Sequence, residues 1–180
     1  MSRMSPAEPP YPDDVQARLS RIMPPGVPPL RLFTTLARDP RLFERFMSAG
    51  LIDHGNLTLR QREIVIDRVT AISGSEYEWG VHVALFAARA GLSEAQTRAT
   101  VRSGPDDPVW SDEDRLLIGV VDALHRDCDI DDATWQELKA RFADEAILEI
   151  LMLAGFYRMV SYLTNALRLA PEAFAPRFPA

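Results

Sequence analysis

Residues 58–91 read TLRQREIVIDRVTAISGSEYEWGVHVALFAARAG. Thr58 and Gln61 stand at the spacing of a capping box, which opens a helix from Leu59 to about Ile72. Ser73-Gly74-Ser75 breaks that helix. A second one runs from Glu76 to Ala90 and stops at Gly91. Ser75, Glu78 and His82 fall at i, i+3 and i+7, so they share one helical face. Past His82 the chain continues Val83-Ala84-Leu85-Phe86-Ala87-Ala88, and the face heads into apolar surroundings. Burying a carboxylate and an imidazole is costly unless they satisfy each other. A low dielectric also shifts their pKa values, which is how general acids and bases are made. A short break can fold two helices side by side, which brings Glu63 to the same face.

These residues carry two readings. In one, Glu63, Glu78 and His82 form an acid/base site. In the other, Glu78 and His82 are an i,i+4 pair that only stabilises a helix. Glu63 is then a solvated residue of the polar first turn Arg60-Gln61-Arg62-Glu63. Tyr77 and Trp79 flank the cluster, as core or interface residues or as aromatic walls for a planar substrate.

Outward from this stretch the pattern stays helical. Leu30–Ala37 and Pro40–Ala49 read as two short helices, the second started by proline in its first turn. Ser93 and Gln96 form another capping box, opening a helix to about Arg102. Ser111 caps a helix with a one-sided stripe at Leu116, Leu117, Val120, Val121 and Leu124. Asp131 or Asp132 caps the next, through Trp135 and Leu138. Asp144 leads into Glu145–Leu167, apolar all round between Ala146 and Phe156 except at Glu149. That pattern marks a buried, central helix. Sustained two-residue alternation is absent, so no sheet is expected.

The chain has 180 residues, enough for one domain that buries its own core. Eight of the 14 prolines fall in residues 1–29, on either side of a short helical stretch, Asp13 to Met23. Proline fixes φ and removes donors, so residues 1–29 read as an extended arm, disordered or laid on a neighbouring subunit, rather than as a packed core element. Residues 30–170 are the domain and residues 171–180 a tail. Net charge is −6, which argues against nucleic acid and anionic membrane as partners. No apolar leader is visible in the first 29 residues, and the Ala146–Phe156 run is too short to span a bilayer. A cytoplasmic protein is expected. The one cysteine, Cys128, permits no internal disulfide and no Cys-x-x-Cys pair. It lies in a polar run and reads as a passive residue near a helix end. Phosphate-binding, zinc-hydrolase and serine-hydrolase motifs are absent, so neither cofactor nor metal is expected.

Arg62-Glu63-Ile64-Val65-Ile66, Arg68-Val69, Gly74-Ser75-Glu76-Tyr77-Glu78-Trp79 and His82 together resemble the carboxymuconolactone decarboxylase family, which includes the alkylhydroperoxidase D-like proteins. The family signature is a Glu, a Cys twelve residues on, a second Cys three further and a His four beyond that. This chain keeps the spacing with Glu63, Ser75, Glu78 and His82. Resemblance therefore implies an all-α, alkylhydroperoxidase D-like helical bundle that assembles as a homo-oligomer, trimer or hexamer. The peroxidase branch resembles thiol chemistry, and neither Ser75 nor Glu78 can form or resolve a sulfenic acid. The cysteine-free pattern is similar to the decarboxylase branch, which works without metal or cofactor.

That branch implies acid/base chemistry on a small unsaturated lactone or carboxylic acid. His82 would deliver a proton, Glu78 would orient or relay, and Glu63 would be the second acid/base. Ser75 would donate to a developing oxyanion. Arg62 and Arg68 are the candidates to hold a substrate carboxylate. The alternatives are a peroxidase-like protein without its Cys-x-x-Cys pair and a non-catalytic oligomer that binds a small ligand.

Overall fold

The computed structural model describes residues 2–23 and 26–180. Met1, Pro24 and Pro25, which belong to the expected arm, lie outside the described residues. The described residues form nine α-helices and one π-helical turn, with no strand. In chain order these are α1 (Asp13–Ile22), α2 (Arg31–Leu36), α3 (Pro40–Ser48), α4 (Leu59–Ile72), α5 (Glu76–His82), the π turn (Val83–Ala87), α6 (Glu94–Arg102), α7 (Asp112–Asp127), α8 (Asp132–Arg141) and α9 (Asp144–Ala166). The all-α expectation holds.

Capping sets most of the helix starts. Thr58 with Gln61, Ser93 with Gln96 and Ser111 with Asp114 form complete capping boxes. Asp39 and Asp131 cap α3 and α8 through their side chains. Each such cap is worth about 1 kcal/mol. Cys128 is exposed and ends α7 in the left-handed conformation, with φ 57°.

The helix at the centre is α4. Every residue from Arg62 to Thr70 is buried, Glu63 and Asp67 completely so. It packs against α5, α6, α7 and α9. The all-round apolar run of α9 pointed to α9 instead, and that expectation is corrected. α9 lays one face on α4 through Ile147, Ile150, Leu153, Tyr157 and Val160, but leaves Leu148, Met152 and Tyr162 exposed. By length and composition α9 could cross a membrane. Glu149 breaks its apolar run and accepts hydrogen bonds from the backbone (2.6 Å) and side chain (3.0 Å) of Asn56, fastening the loop ahead of α4.

A second correction concerns the helix after the Ser73–Ser75 break. It does not run evenly to Ala90. It is α-helical only to His82, then widens into the π turn and closes at Gly91, where φ is +67°. π turns inside helices are rare and concentrate at functional sites.

The N-terminal segment is also not a free arm. α1 buries Val15 and Leu19 in the core. The backbone N–H of Arg3 donates to Leu167 (2.8 Å) and that of Ala7 to Thr34 (2.9 Å). The prolines break helices there without preventing apolar residues from packing on their own chain. The C-terminal tail docks likewise. Phe178 packs edge-on against Trp79, and Arg102 donates to the Pro179 carbonyl.

Candidate active site

Three helices converge on one buried cluster. α4 contributes Arg62, Glu63 and Asp67, with Glu63 and Asp67 one turn apart on its inner face. α5 contributes Glu78 and His82, and α9 contributes Tyr157. Arg62 Nε donates to Glu63 Oε1 at 2.9 Å, and Arg62 also donates to the Ile52 carbonyl at 2.9 Å. The other Glu63 oxygen, Oε2, lies 2.8 Å from His82 Nδ1. His82 Nε2 sits 3.6 Å from Glu78 Oε1, an ion-pair distance rather than a hydrogen bond. The imidazole is held between rings: Tyr157 stands perpendicular at 4.9 Å and Phe86, from the π turn, lies at 5.3 Å.

Burial alone would pull the pKa of His82 down. The charge and hydrogen bond of Glu63, reinforced by Glu78, overcome it and raise the pKa to about 10. His82 is therefore an imidazolium at neutral pH, with Nδ1–H committed to Glu63. Asp67 goes the other way. Burial, then the charge of Glu63, pushes its carboxyl well above the usual range, partly offset by His82. Neither Asp67 oxygen has a hydrogen-bond partner among the described residues. Both effects favour the neutral acid form of Asp67. Burial, followed by Glu78 and Glu63, raises Tyr157 well above the ordinary phenol range and keeps it an O–H donor.

The cluster opens on one side into a cavity of about 90 Å³. Glu78, His82 and Tyr157 border it at the polar end, and Ile22, Met23, Phe33, Met47 and Phe156 supply apolar wall. α1 therefore contributes to the site through its last turn. Among the described residues no group of three or more His, Cys, Asp or Glu is placed to hold a metal ion.

The structure brings Arg62, Glu63, Glu78 and His82 together and places the other candidates elsewhere. Ser75 is fully buried but faces Thr164, with Oγ–Oγ1 2.7 Å, and caps α5. It does not border the cavity, because an N-cap hydroxyl must turn back to its own helix. Tyr77 accepts from the Leu32 N–H (3.1 Å) and donates to Glu172 (2.5 Å). Trp79 donates to Thr100 Oγ1 (2.9 Å). Both flank the cluster in sequence, yet the helix rotation carries them to other faces, so neither is a pocket wall. Arg62 is consumed by Glu63 and the Ile52 carbonyl. Arg68 lies in a separate bidentate pair with Asp122, at 2.6 and 2.7 Å, and donates to the Thr100 and Ser103 carbonyls. Neither arginine is free to hold a substrate carboxylate.

Asp67 and Tyr157 belong to the site and escaped the sequence. A signal for Asp67 exists: it is the lone acid following the apolar run Ile64-Val65-Ile66, one turn from Glu63. Nothing in the sequence links Tyr157 to His82, since their contact is made by tertiary packing.

Fold and site together define an all-helical protein built around a buried Glu–His–Glu cluster. Residues 40–105, the segment that holds the cluster's α4 and α5 residues, match the carboxymuconolactone decarboxylase family. No curated protein matches the sequence. Solved structures with the same fold include an uncharacterized peroxidase-related protein from Silicibacter sp. TM1040. It has a TM-score of 0.84 and 17% identity, over 99% of this chain and 96% of that one. An alkylhydroperoxidase AhpD core protein from Ralstonia eutropha JMP134, also an uncharacterized peroxidase-related protein, aligns with a TM-score of 0.78 and 17% identity, over 96% and 93%. The debrominase Bmp8, in complex with 2,3,4-tribromopyrrole, aligns with a TM-score of 0.74 and 15% identity, over 97% and 94%. These likenesses establish the alkylhydroperoxidase D-like fold.

Proposed function

We propose that the protein is a cofactor-independent acid/base enzyme in which His82 transfers a proton to or from a small, unsaturated, lactone-like substrate. One observation carries this: His82 Nδ1 is fixed on the buried Glu63 carboxylate at 2.8 Å, and His82 also borders a cavity. A carboxylate behind an imidazole fixes its orientation and stabilises the charged form. Nε2–H is then the proton that the cavity end of the ring can deliver.

Decarboxylation is the reaction that the family's name supplies. The bond between the carboxylate and the ring carbon breaks, CO₂ leaves, and the electron pair passes into the lactone carbonyl as a dienolate. His82 Nε2–H then protonates carbon, and Glu63 holds the ring while the proton is replaced. Tyr157 is the O–H donor left to face the developing oxyanion, in the part first assigned to Ser75. Isomerisation or lactone opening would use the same groups and needs no carboxylate anchor, which suits a site with no free arginine. The thiol-peroxidase alternative finds no support: the single thiol is exposed at the end of α7, and Ser75 and Glu78 occupy the family's cysteine positions.

The test is turnover of unsaturated lactones, followed by CO₂ release and by ring isomerisation, in wild type, His82→Ala and Glu63→Gln. Both variants should lose at least about 100-fold, the usual range for a positioned proton donor. Undiminished turnover in both would remove His82 from the chemistry.

A further inference from the structure

Glu78 carries a feature that proton transfer by His82 does not use. It is about nine-tenths buried and borders the cavity, yet its Oε2 has no hydrogen-bond partner among the described residues. Buried carboxylate oxygens are almost always satisfied, so an orphan at a cavity wall points to a donor arriving from the cavity. The other oxygen of Glu78 lies 3.6 Å from His82 Nε2, too far for a direct bond. An orphan acceptor and a loosely paired donor thus stand side by side at the polar end of a pocket with hydrocarbon walls.

The charges narrow the choice further. His82 and Arg62 are the two cations of the cluster, and both are already held by Glu63. Among the described residues that border the cavity, Glu78 is the one carboxyl and none is an arginine or lysine. An ionised carboxylate entering the cavity would sit beside Glu78 with no cation to spare. A neutral hydroxyl adds no charge. It can do two things at once: donate to Glu78 Oε2 and accept from His82 Nε2–H.

We infer that the cavity selects a neutral small-ring compound bearing a hydroxyl, with that hydroxyl bridging Glu78 and His82. The inference takes the cavity beside His82 to be the substrate site, as proposed above, and names the class of ligand it admits. Two of the cavity's walls, Met23 and Met47, are flexible side chains that can re-pack around a small ring.

Three probes of one ring size test this on the full-length protein by NMR titration. Cyclobutanol donates and accepts, cyclobutanone only accepts, and cyclobutanecarboxylate carries the charge. Cyclobutanol should bind roughly 10-fold or more tightly than either of the others, the value of a hydrogen bond to a charged acceptor. Glu78→Gln should reduce cyclobutanol to the affinity of the ketone. The wild-type comparison stands alone if that variant does not fold. Equal binding of alcohol and ketone would overturn the inference, because Glu78 Oε2 would then be served by water. So would tightest binding of the carboxylate, or no binding by any probe. Preferred binding of the alcohol, with turnover indifferent to His82→Ala, would keep the ligand class and sink the acid/base chemistry.

Discussion

The raised pKa of His82 makes the fold itself pH-dependent. A histidine whose folded pKa lies above its unfolded value stabilises the fold fully below the unfolded pKa, about 6.5. That stabilisation is lost as pH rises through the folded value, about 10. Between the two, one extra proton is bound by the folded state, so unfolding free energy should fall by about 1.4 kcal/mol per pH unit. Over the whole window the loss is about 5 kcal/mol. Tyr157 on α9 is pushed above the phenol range and stays out of this window. The raised Asp67 carboxyl on α4 adds a slope of the same sign for as long as it stays protonated. His125, away from the cluster beside Arg158, is shifted down, by burial and then by Arg158. Urea unfolding at half-unit steps from pH 6 to pH 9.5 would measure the slope, with His82 followed by NMR. In Glu63→Gln burial is opposed by Glu78 alone, so the slope between pH 7 and pH 9 should fall toward zero. His82→Gln, made together with Asp67→Asn to remove the carboxyl's share, should abolish it. A slope that persists in that double variant would refute the account, as would a flat wild-type profile.

Two more expectations concern residues outside the sequence signature. Asp67→Asn should stabilise the protein at pH 7 by on the order of 1–2 kcal/mol. The raised carboxyl pKa costs stability once pH exceeds the unfolded value of about 3.9, so the advantage should shrink toward pH 4; urea midpoints at pH 4 and pH 7 would show it, and equal differences at the two would contradict it. Gly80→Ala should release the C-terminal tail. A Cβ there would run into the Pro176 carbonyl and come within 3.2 Å of the Ala175 Cβ. Limited proteolysis should then cut the tail faster, with about 1–3 kcal/mol lost in stability, and an unchanged cleavage rate would show that the docking is unimportant.

Much of this was legible because it is local. Capping boxes at Thr58, Ser93 and Ser111 set helix starts within a few residues. The spacing of Glu63, Glu78 and His82 located the cluster before any tertiary information. What escaped the sequence is what only packing decides. Ser75 and Glu78 lie on one face of α5, yet the N-cap role turns the hydroxyl of Ser75 to Thr164. Arg62 and Arg68 look equally free in the sequence, and each is claimed by a neighbour. The proline-rich start looked extended because its breakers are conspicuous, whereas Val15 and Leu19 show their value only against the core. The apolar girth of α9 signalled burial, but its partners α4, α5 and α8 cover one side and leave Leu148, Met152 and Tyr162 exposed.

The cluster also has a place in the order of folding. Thr164, which receives Ser75, is 89 residues further along the chain, and Tyr157 comes from the same late helix. Until α9 has left the ribosome, Tyr157 is not there to close over His82. Contacts so distant along the chain form slowly, because their loops must close first. The electrostatic cost of the site therefore falls late, when α9 seals α4.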